Sequence, residues 1–310
     1  MSGESTAVRL APMGDEGFSD WSTRSVRGFA AQQVAAGVNR DPEATAYARR
    51  QLAELLPRGP ASPGHCLWTV HDGAGAPIGH AWLQLRRRPG GDVTGYLLDI
   101  EVAAPRRGQG LGRATMLAVE QEARRRHAVA LDLNVFGHNG PARALYSGLG
   151  YTVVEATLTL AVFQPPARET ASRGGEVALR DMTESDLAAI RPSLAAEHGA
   201  DLDRLLPSGA ATSGHRLWTA HAGPVTAGAV WLQLQLRSDG LHALVRHLHA
   251  DGGLSRSGHG PALLRAVHRV THEMGTRTLT LSLPGSATGP RALVAEQGFV
   301  LVAQTLTKPL

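Results

Sequence analysis

The run Asp99-Ile100-Glu101-Val102-Ala103-Ala104-Pro105-Arg106-Arg107-Gly108-Gln109-Gly110-Leu111-Gly112-Arg113 concentrates the residue types from which chemistry can be built. An apolar strand ends at Pro105, three glycines follow, and a helix is predicted to begin at about Leu111. Glycine leaves the backbone N–H groups of such a turn bare, because a Cβ would hold an anion away from them. The helix dipole, with Arg107 or Arg113, offsets the charge of a bound pyrophosphate. The same residues also suit a plain strand-to-helix turn. A nucleoside-triphosphate loop is excluded, since no Gly-Lys-Ser/Thr ending follows. Asp99 and Glu101 stand two apart on the strand and so share a face, where a carboxylate can take a proton directly or through water.

The elements that must position these residues occur twice. Leu55-Leu56-Pro57 and Gly64-His65-Cys66-Leu67-Trp68-Thr69 return 150 positions later as Leu205-Leu206-Pro207 and Gly214-His215-Arg216-Leu217-Trp218-Thr219. From about Asp99 a constant shift of 148 carries Gly110 to Gly258, Gly112 to Gly260 and Thr157-Leu158-Thr159 to Thr305-Leu306-Thr307. A register held to the C-terminus implies duplicated domains, at 1–163 and 176–310, joined by a Pro-, Gly-, Ser- and Arg-rich linker at 164–175. In the first copy, alternating or β-branched apolar positions predict strands at 66–70, 77–86, 95–103 and 129–135. Helical spacing marks 17–36, 42–56, 110–127 and 139–149. The expected class is therefore α/β or mixed α+β, and the second copy has lost roughly one helix near its start.

About 27 residues after Gly112 come Asn139, then Ala144-Leu145-Tyr146, and then Gly150-Tyr151 opening another strand. With Arg107-x-x-Gly110-x-Gly112 after a strand, this resembles the Gcn5-related N-acetyltransferase (GNAT) superfamily. The match is strong over 95–160, looser over the rest of the first copy, and degenerate in the second. The resemblance implies two tandem acyl-CoA N-acyltransferase folds, each a splayed mixed sheet flanked by helices, with CoA wedged between two parting strands. It implies acetyl-CoA or another acyl-CoA as donor and a primary amine as acceptor, a small molecule or a peptide N-terminus. Attack is direct, in a ternary complex, without a metal. Cofactor contacts then fall to the main chain of Val102 and to Arg107, Gly108, Gln109, Gly110, Gly112 and Arg113. Asn139 joins them, as a cap of the next helix, a partner of the pantetheine arm, or both. A phenol with a pKa of about 10 stays protonated at neutral pH, so Tyr146 suits proton donation to the departing thiolate. Glu101 is the expected base and Asp99 a substrate contact or an alternative base. His80 and His138 are further candidates, and Asn134 stands where some members place a carboxylate. Trp21 falls in the helical region that walls the acceptor site.

The second copy tests these roles. Under the constant shift Arg107 becomes Ser255, Asn134 Ser282, Asn139 Ala287 and Tyr146 Val294, whereas Leu131 and Leu133 persist as Leu279 and Leu281. The expectation is an active first domain and a structural or acceptor-shaping second one, with residual CoA binding at Arg256, Gly258 and Gly260. Two other readings stand beside this one. One is a tRNA-dependent aminoacyltransferase acting on a small molecule, and the other a non-catalytic CoA-binding module.

Composition narrows the setting. The 310 residues, 43% hydrophobic, suffice for two buried cores, and the formal net charge is only +4. The clusters Arg86-Arg87-Arg88, Arg106-Arg107 and Arg124-Arg125-Arg126 suit solvated faces, so nucleic acid is not expected apart from tRNA as an alternative acyl donor. The lone Cys66 excludes an internal disulfide framework and suits a reducing compartment. With no apolar leader or span of about 18 residues, the chain is expected to be cytoplasmic and off the membrane. Oligomeric state is left open.

Overall fold

The computed structural model describes residues 7–35, 41–88, 90–162, 176–237, 239–254 and 258–310. The chain runs β1 (Val8–Pro12), α1 (Asp15–Ala35), α2 (Asp41–Leu55), β2 (His65–Asp72), β3 (Pro77–Arg87), β4 (Val93–Val102), α3 (Leu111–Arg125), β5 (Ala128–Phe136), α4 (Gly140–Gly148) and β6 (Thr152–Ala161). It continues with β7 (Ala178–Asp181), α5 (Glu184–His198), α6 (Leu202–Leu205), β8 (His215–Ala222), β9 (Val225–Arg237), β10 (Gly240–Ala250), α7 (Gly260–Glu273), β11 (Thr276–Pro284), α8 (Thr288–Glu296) and β12 (Val300–Pro309). Each strand and helix expected in the first copy is present. The second copy carries the four-residue α6 where the first has the 15-residue α2. The linker expected at 164–175 lies outside the described residues.

Two compact units form, and they differ from the sequence repeats in one element. The first unit is Met1–Val154 with Ala303–Leu310, and the second is Glu155–Val302. In the first, the strand order is β1-β2-β3-β4-β5-β12, antiparallel except for the parallel pair β4/β5. In the second it is β7-β8-β9-β10-β11-β6, with β10/β11 parallel. Each sheet is thus completed by the last strand of the other repeat. The reason is visible in the register. Leu306 pairs with Leu133 between Thr305↔Asn134 and Thr307↔Asp132, and Leu158 pairs with Leu281 between Thr157↔Ser282 and Thr159↔Thr280. The two Thr-Leu-Thr segments present the same alternation to equivalent partners, so either strand satisfies either sheet.

The parting of two strands makes the cleft. In the first unit, β4 and β5 pair from Val93↔Ala128 to Leu97↔Leu133 and no further. Beyond that point β4 follows β3 out to Gly79↔Val102, while β5 follows β12 out to Ala303↔Phe136. Gly79 permits the close approach of β3, since a Cβ there would lie 2.0 Å from the Glu101 carbonyl oxygen. A bulge between Trp82 and Leu83 leaves Leu98 of β4 without an opposite number. Under the sheet, α3 buries Leu111, Thr115, Met116, Val119, Glu120 and Ala123, spaced as one helical face, against Leu131, Leu133 and Leu97.

Candidate functional site

The glycine turn folds as a loop that opens a helix. Gly108 and Gly110 both have φ of +76°, a backbone that side-chain-bearing residues rarely adopt, and Gly110 is the N-cap of α3. No side chain caps that helix, so its first-turn N–H groups face outward with the positive end of the dipole. The flanking arginines are occupied elsewhere. Arg107 donates from Nε to the Val102 carbonyl (2.8 Å) and from Nη2 to Glu101 Oε1 (3.0 Å). Arg113 donates to the Gly148 carbonyl at the end of α4 (3.0 Å), and Gln109 Nε2 donates to the Pro105 carbonyl (3.3 Å).

A cleft of about 420 Å³ fills the opening between the parted strands. Its walls include Leu97 to Ile100 of β4, Asn134 to Phe136 of β5, and Asn139, Ala142 and Tyr146 from α4. Asn139 caps α4, its Oδ1 accepting the Ala142 N–H at 3.2 Å. Tyr146 is buried, and its phenol is pushed up to about 12, first by desolvation and then by the charge of Asp99. It therefore holds its proton far above neutrality.

A second cavity, of about 280 Å³, lies between helices α1 and α2 and strands β3 and β4, where Phe29, Leu98 and Asp99 line it and the cleft alike. Asp99 is the polar centre of this junction. Its Oδ2 lies 2.9 Å from His80 Nε2 and accepts from the Ser25 hydroxyl at 3.3 Å. Glu101 lines the second cavity as well, with an exposed carboxylate paired to Arg107.

Among the residues singled out from sequence, Asp99, Asn134, Asn139 and Tyr146 meet in the cleft, and His80, Asp99 and Glu101 meet in the cavity. Val102 ends β4 beyond the cleft lining. Trp21 lines neither the cleft nor the second cavity. It is 1% exposed and packs edge-on against Trp82 (5.3 Å between ring centroids) and His80 (6.1 Å), behind the site. Sequence reasoning passed over Ser25 and Phe29, and it gave His80 no partner. The signal for His80 was its place on β3, two residues from Trp82 and so on the same face, in register with Glu101.

The second unit keeps the frame without these groups. Its parallel pair ends at Leu244↔Thr280, but α7 starts from His259 at φ −74° and not from a left-handed glycine. Ala287 gives α8 no side-chain cap, and Val294 is fully buried where the first unit has its phenol. Asp99 is matched by His247, whose Nδ1 is 2.9 Å from Glu197. Ser255 and Arg256 lie outside the described residues.

Comparison with known proteins follows the same lines. The family described as acetyltransferase (GNAT) matches residues 34–151, which contain the glycine turn, β4, β5 and Tyr146. An uncharacterized N-acetyltransferase of Bacillus subtilis, YycN, is 28% identical over 153 residues, 49% of this chain and 97% of its own length. A mycothiol acetyltransferase of Beutenbergia cavernae is 38% identical over 89 residues, 28% of this chain and 29% of that protein. The crystal structure of a GCN5-related N-acetyltransferase from Sphaerobacter thermophilus aligns over 97% of this chain and 95% of its own, with a TM-score of 0.52 at 19% identity, a likeness of fold.

Proposed function

Because this chain belongs to the GCN5-related N-acetyltransferase superfamily, and is an acetyltransferase of that type, we propose that its first unit transfers an acetyl group from acetyl-CoA to a primary amine by direct attack in a ternary complex. The observation that carries this reading is the meeting of two cavities at Leu98 and Asp99. One is a cleft between parted strands that ends on a protonated phenol, and the other a pocket behind α1 and α2.

The residues present fit the donor. The uncapped N-terminus of α3, opened by two left-handed glycines, suits a pyrophosphate, and the polar side chain of Asn139 at the cleft suits an amide-bearing arm. Bound acetyl-CoA supplies an activated acetyl thioester. The main-chain groups of β4 beyond Leu97 that would have faced β5 have lost their strand partners, so they supply hydrogen bonds to the thioester oxygen. Arg107 and Arg113 brace the turn, and Arg107 becomes available to phosphate only by releasing Glu101.

On the acceptor side, Asp99 takes the proton of the attacking amine, with His80 behind it to share the charge. Glu101, expected from the sequence as base, lines the same cavity and draws in an ammonium group. Tyr146 holds a proton at Oη for the leaving thiolate. The second unit, without a phenol or a capping asparagine at the matching places, serves as a structural partner.

Calorimetry with acetyl-CoA, followed by thiol release in the presence of amines, tests the proposal. Micromolar acetyl-CoA binding and amine-dependent release of CoA are expected. A chain that ignores acetyl-CoA but accepts an aminoacyl group from charged tRNA would overturn it.

A further inference from the structure

The walls of the 280 Å³ cavity differ along its length, and that asymmetry bears on the acceptor. Where it meets the cleft stands Asp99, with its partners His80 and Ser25 beside it, and Glu101 lies two residues further on the same strand face. Asp99 is the one carboxylate that lines both the cavity and the cleft, so it is the one an incoming amine meets at the junction, whereas Glu101 lines the cavity alone and is paired with Arg107. Phe29 and Leu98 flank that junction, and away from it the apolar walls are Val26, Ala48, Leu52 and Leu55, with Gln51 and the exposed Arg24 also on the lining. An apolar cavity of about 150 Å³ is enough for a benzene ring. The space here takes a ring or short alkyl chain with a two- or three-carbon arm.

We infer that the acceptor is a small monoamine with a single apolar arm, an arylalkylamine or alkylamine, its nitrogen at Asp99 and its arm between α1 and α2. This rests on the acetyl-transfer reading of the same site. The chemistry disfavours the other amine classes. A polyamine or aminoglycoside would bring a second ammonium against leucines or toward Arg24, where it is desolvated without a partner. A peptide N-terminus would place amide groups within two bonds of the nitrogen, against a wall with few hydrogen-bonding groups. An α-amino acid would set its carboxylate beside Asp99, like charge against like.

The test uses the full chain at saturating acetyl-CoA, with thiol release measured for phenethylamine, hexylamine, spermidine, kanamycin, a glycyl dipeptide and L-phenylalanine. The expected result is that kcat/KM for phenethylamine and hexylamine exceeds that for every other amine at least tenfold. Leu52→Gln should raise the KM for both apolar amines about tenfold and leave the KM for acetyl-CoA unchanged. Phe29 is 39% exposed, so Phe29→Ala keeps the fold and should weaken the apolar amines selectively even if Leu52→Gln folds poorly. Equal or better turnover of spermidine, kanamycin, the dipeptide or phenylalanine, with acetyl-CoA binding intact, would overturn the acceptor class alone. Failure to bind acetyl-CoA would overturn the underlying activity and this inference with it.

Discussion

Lys308 Nζ lies 2.8 Å from both carboxylate oxygens of Glu120, a side chain 1% exposed on the inner face of α3. Lys308 is the only lysine in the chain and belongs to the last strand of the second repeat, yet it neutralises a charge buried in the first unit. The Tyr151 hydroxyl donates to the same carboxylate at 3.2 Å, and burial together with Glu120 pushes that phenol far above its ordinary range. The Tyr151 ring stands edge-on to Tyr146, 5.8 Å between centroids. The end of the chain thereby supports the wall behind the phenol assigned to the leaving sulfur, which gives a physical reason for keeping a second repeat whose own cleft lacks that chemistry.

Lys308→Met is expected to destabilise the first unit by about 1–3 kcal/mol, less than for a fully stranded charge, because Arg124 Nη2, 3.6 Å from Glu120 Oε2, remains as a second partner. Adding Glu120→Gln removes the under-compensated charge and should recover much of the loss. Urea unfolding of the two variants checks this. Equal loss in both would mean that the pair does not hold the strand.

Tyr146→Phe should lower kcat about 100-fold with little change in the KM for acetyl-CoA, the size typical of removing a general acid. The hydroxyl sits on a buried ring at the cleft wall, so the fold is expected to survive. With the phenol pushed up to about 12, it keeps its proton across the working range. The wild-type rate should therefore show no alkaline decline from this group below about pH 11. An undiminished kcat in the variant would remove Tyr146 from the chemistry.

Asp99→Asn and Glu101→Gln separate the two carboxylates. Asp99 touches His80 and Ser25 where the cavities join, so its loss should cost about 100-fold in kcat. Glu101 is exposed and paired with Arg107, so its loss should appear mainly as a several-fold rise in amine KM. The reverse pattern in steady-state kinetics would restore Glu101 as the base.

The strand-turn-helix run from Asp99 to Arg113 was legible in the sequence because local rules govern it. Pro105 stops a strand, and glycine takes φ of +76° at Gly108 and Gly110 without the strain a side chain brings there. Asn139 at a helix start was legible for the same reason, whereas Tyr146 was singled out through the family resemblance and not by a local rule. The exchange of β6 and β12 was not, since two copies of Thr-Leu-Thr carry no preference between equivalent sheets. Neither was the pairing of Arg107 with Glu101 or the burial of Trp21 behind His80. These depend on which side chains the folded backbone brings within reach, and neither composition nor spacing encodes that distance.

Stability should weaken in mild acid through a pair of matched histidines. Trp82 Nε1 donates to His65 Nδ1 at 2.9 Å, and Trp231 Nε1 donates to His215 Nδ1 at 2.7 Å, so each ring must be neutral to accept. Desolvation, followed by the charge of Arg86 or Arg246, holds both histidines below the ordinary 6.5. A base whose folded pKa is depressed contributes stability that is fully present above its unfolded value and is lost as the pH falls through the folded one. The thermal midpoint should then decline between about pH 7 and pH 5, before carboxylates titrate. His65→Asn with His215→Asn keeps an acceptor for each indole without a titrating ring, and should flatten the profile over that interval. A wild-type midpoint that does not change across it would show that the two indole–imidazole bonds are not what mild acid disturbs.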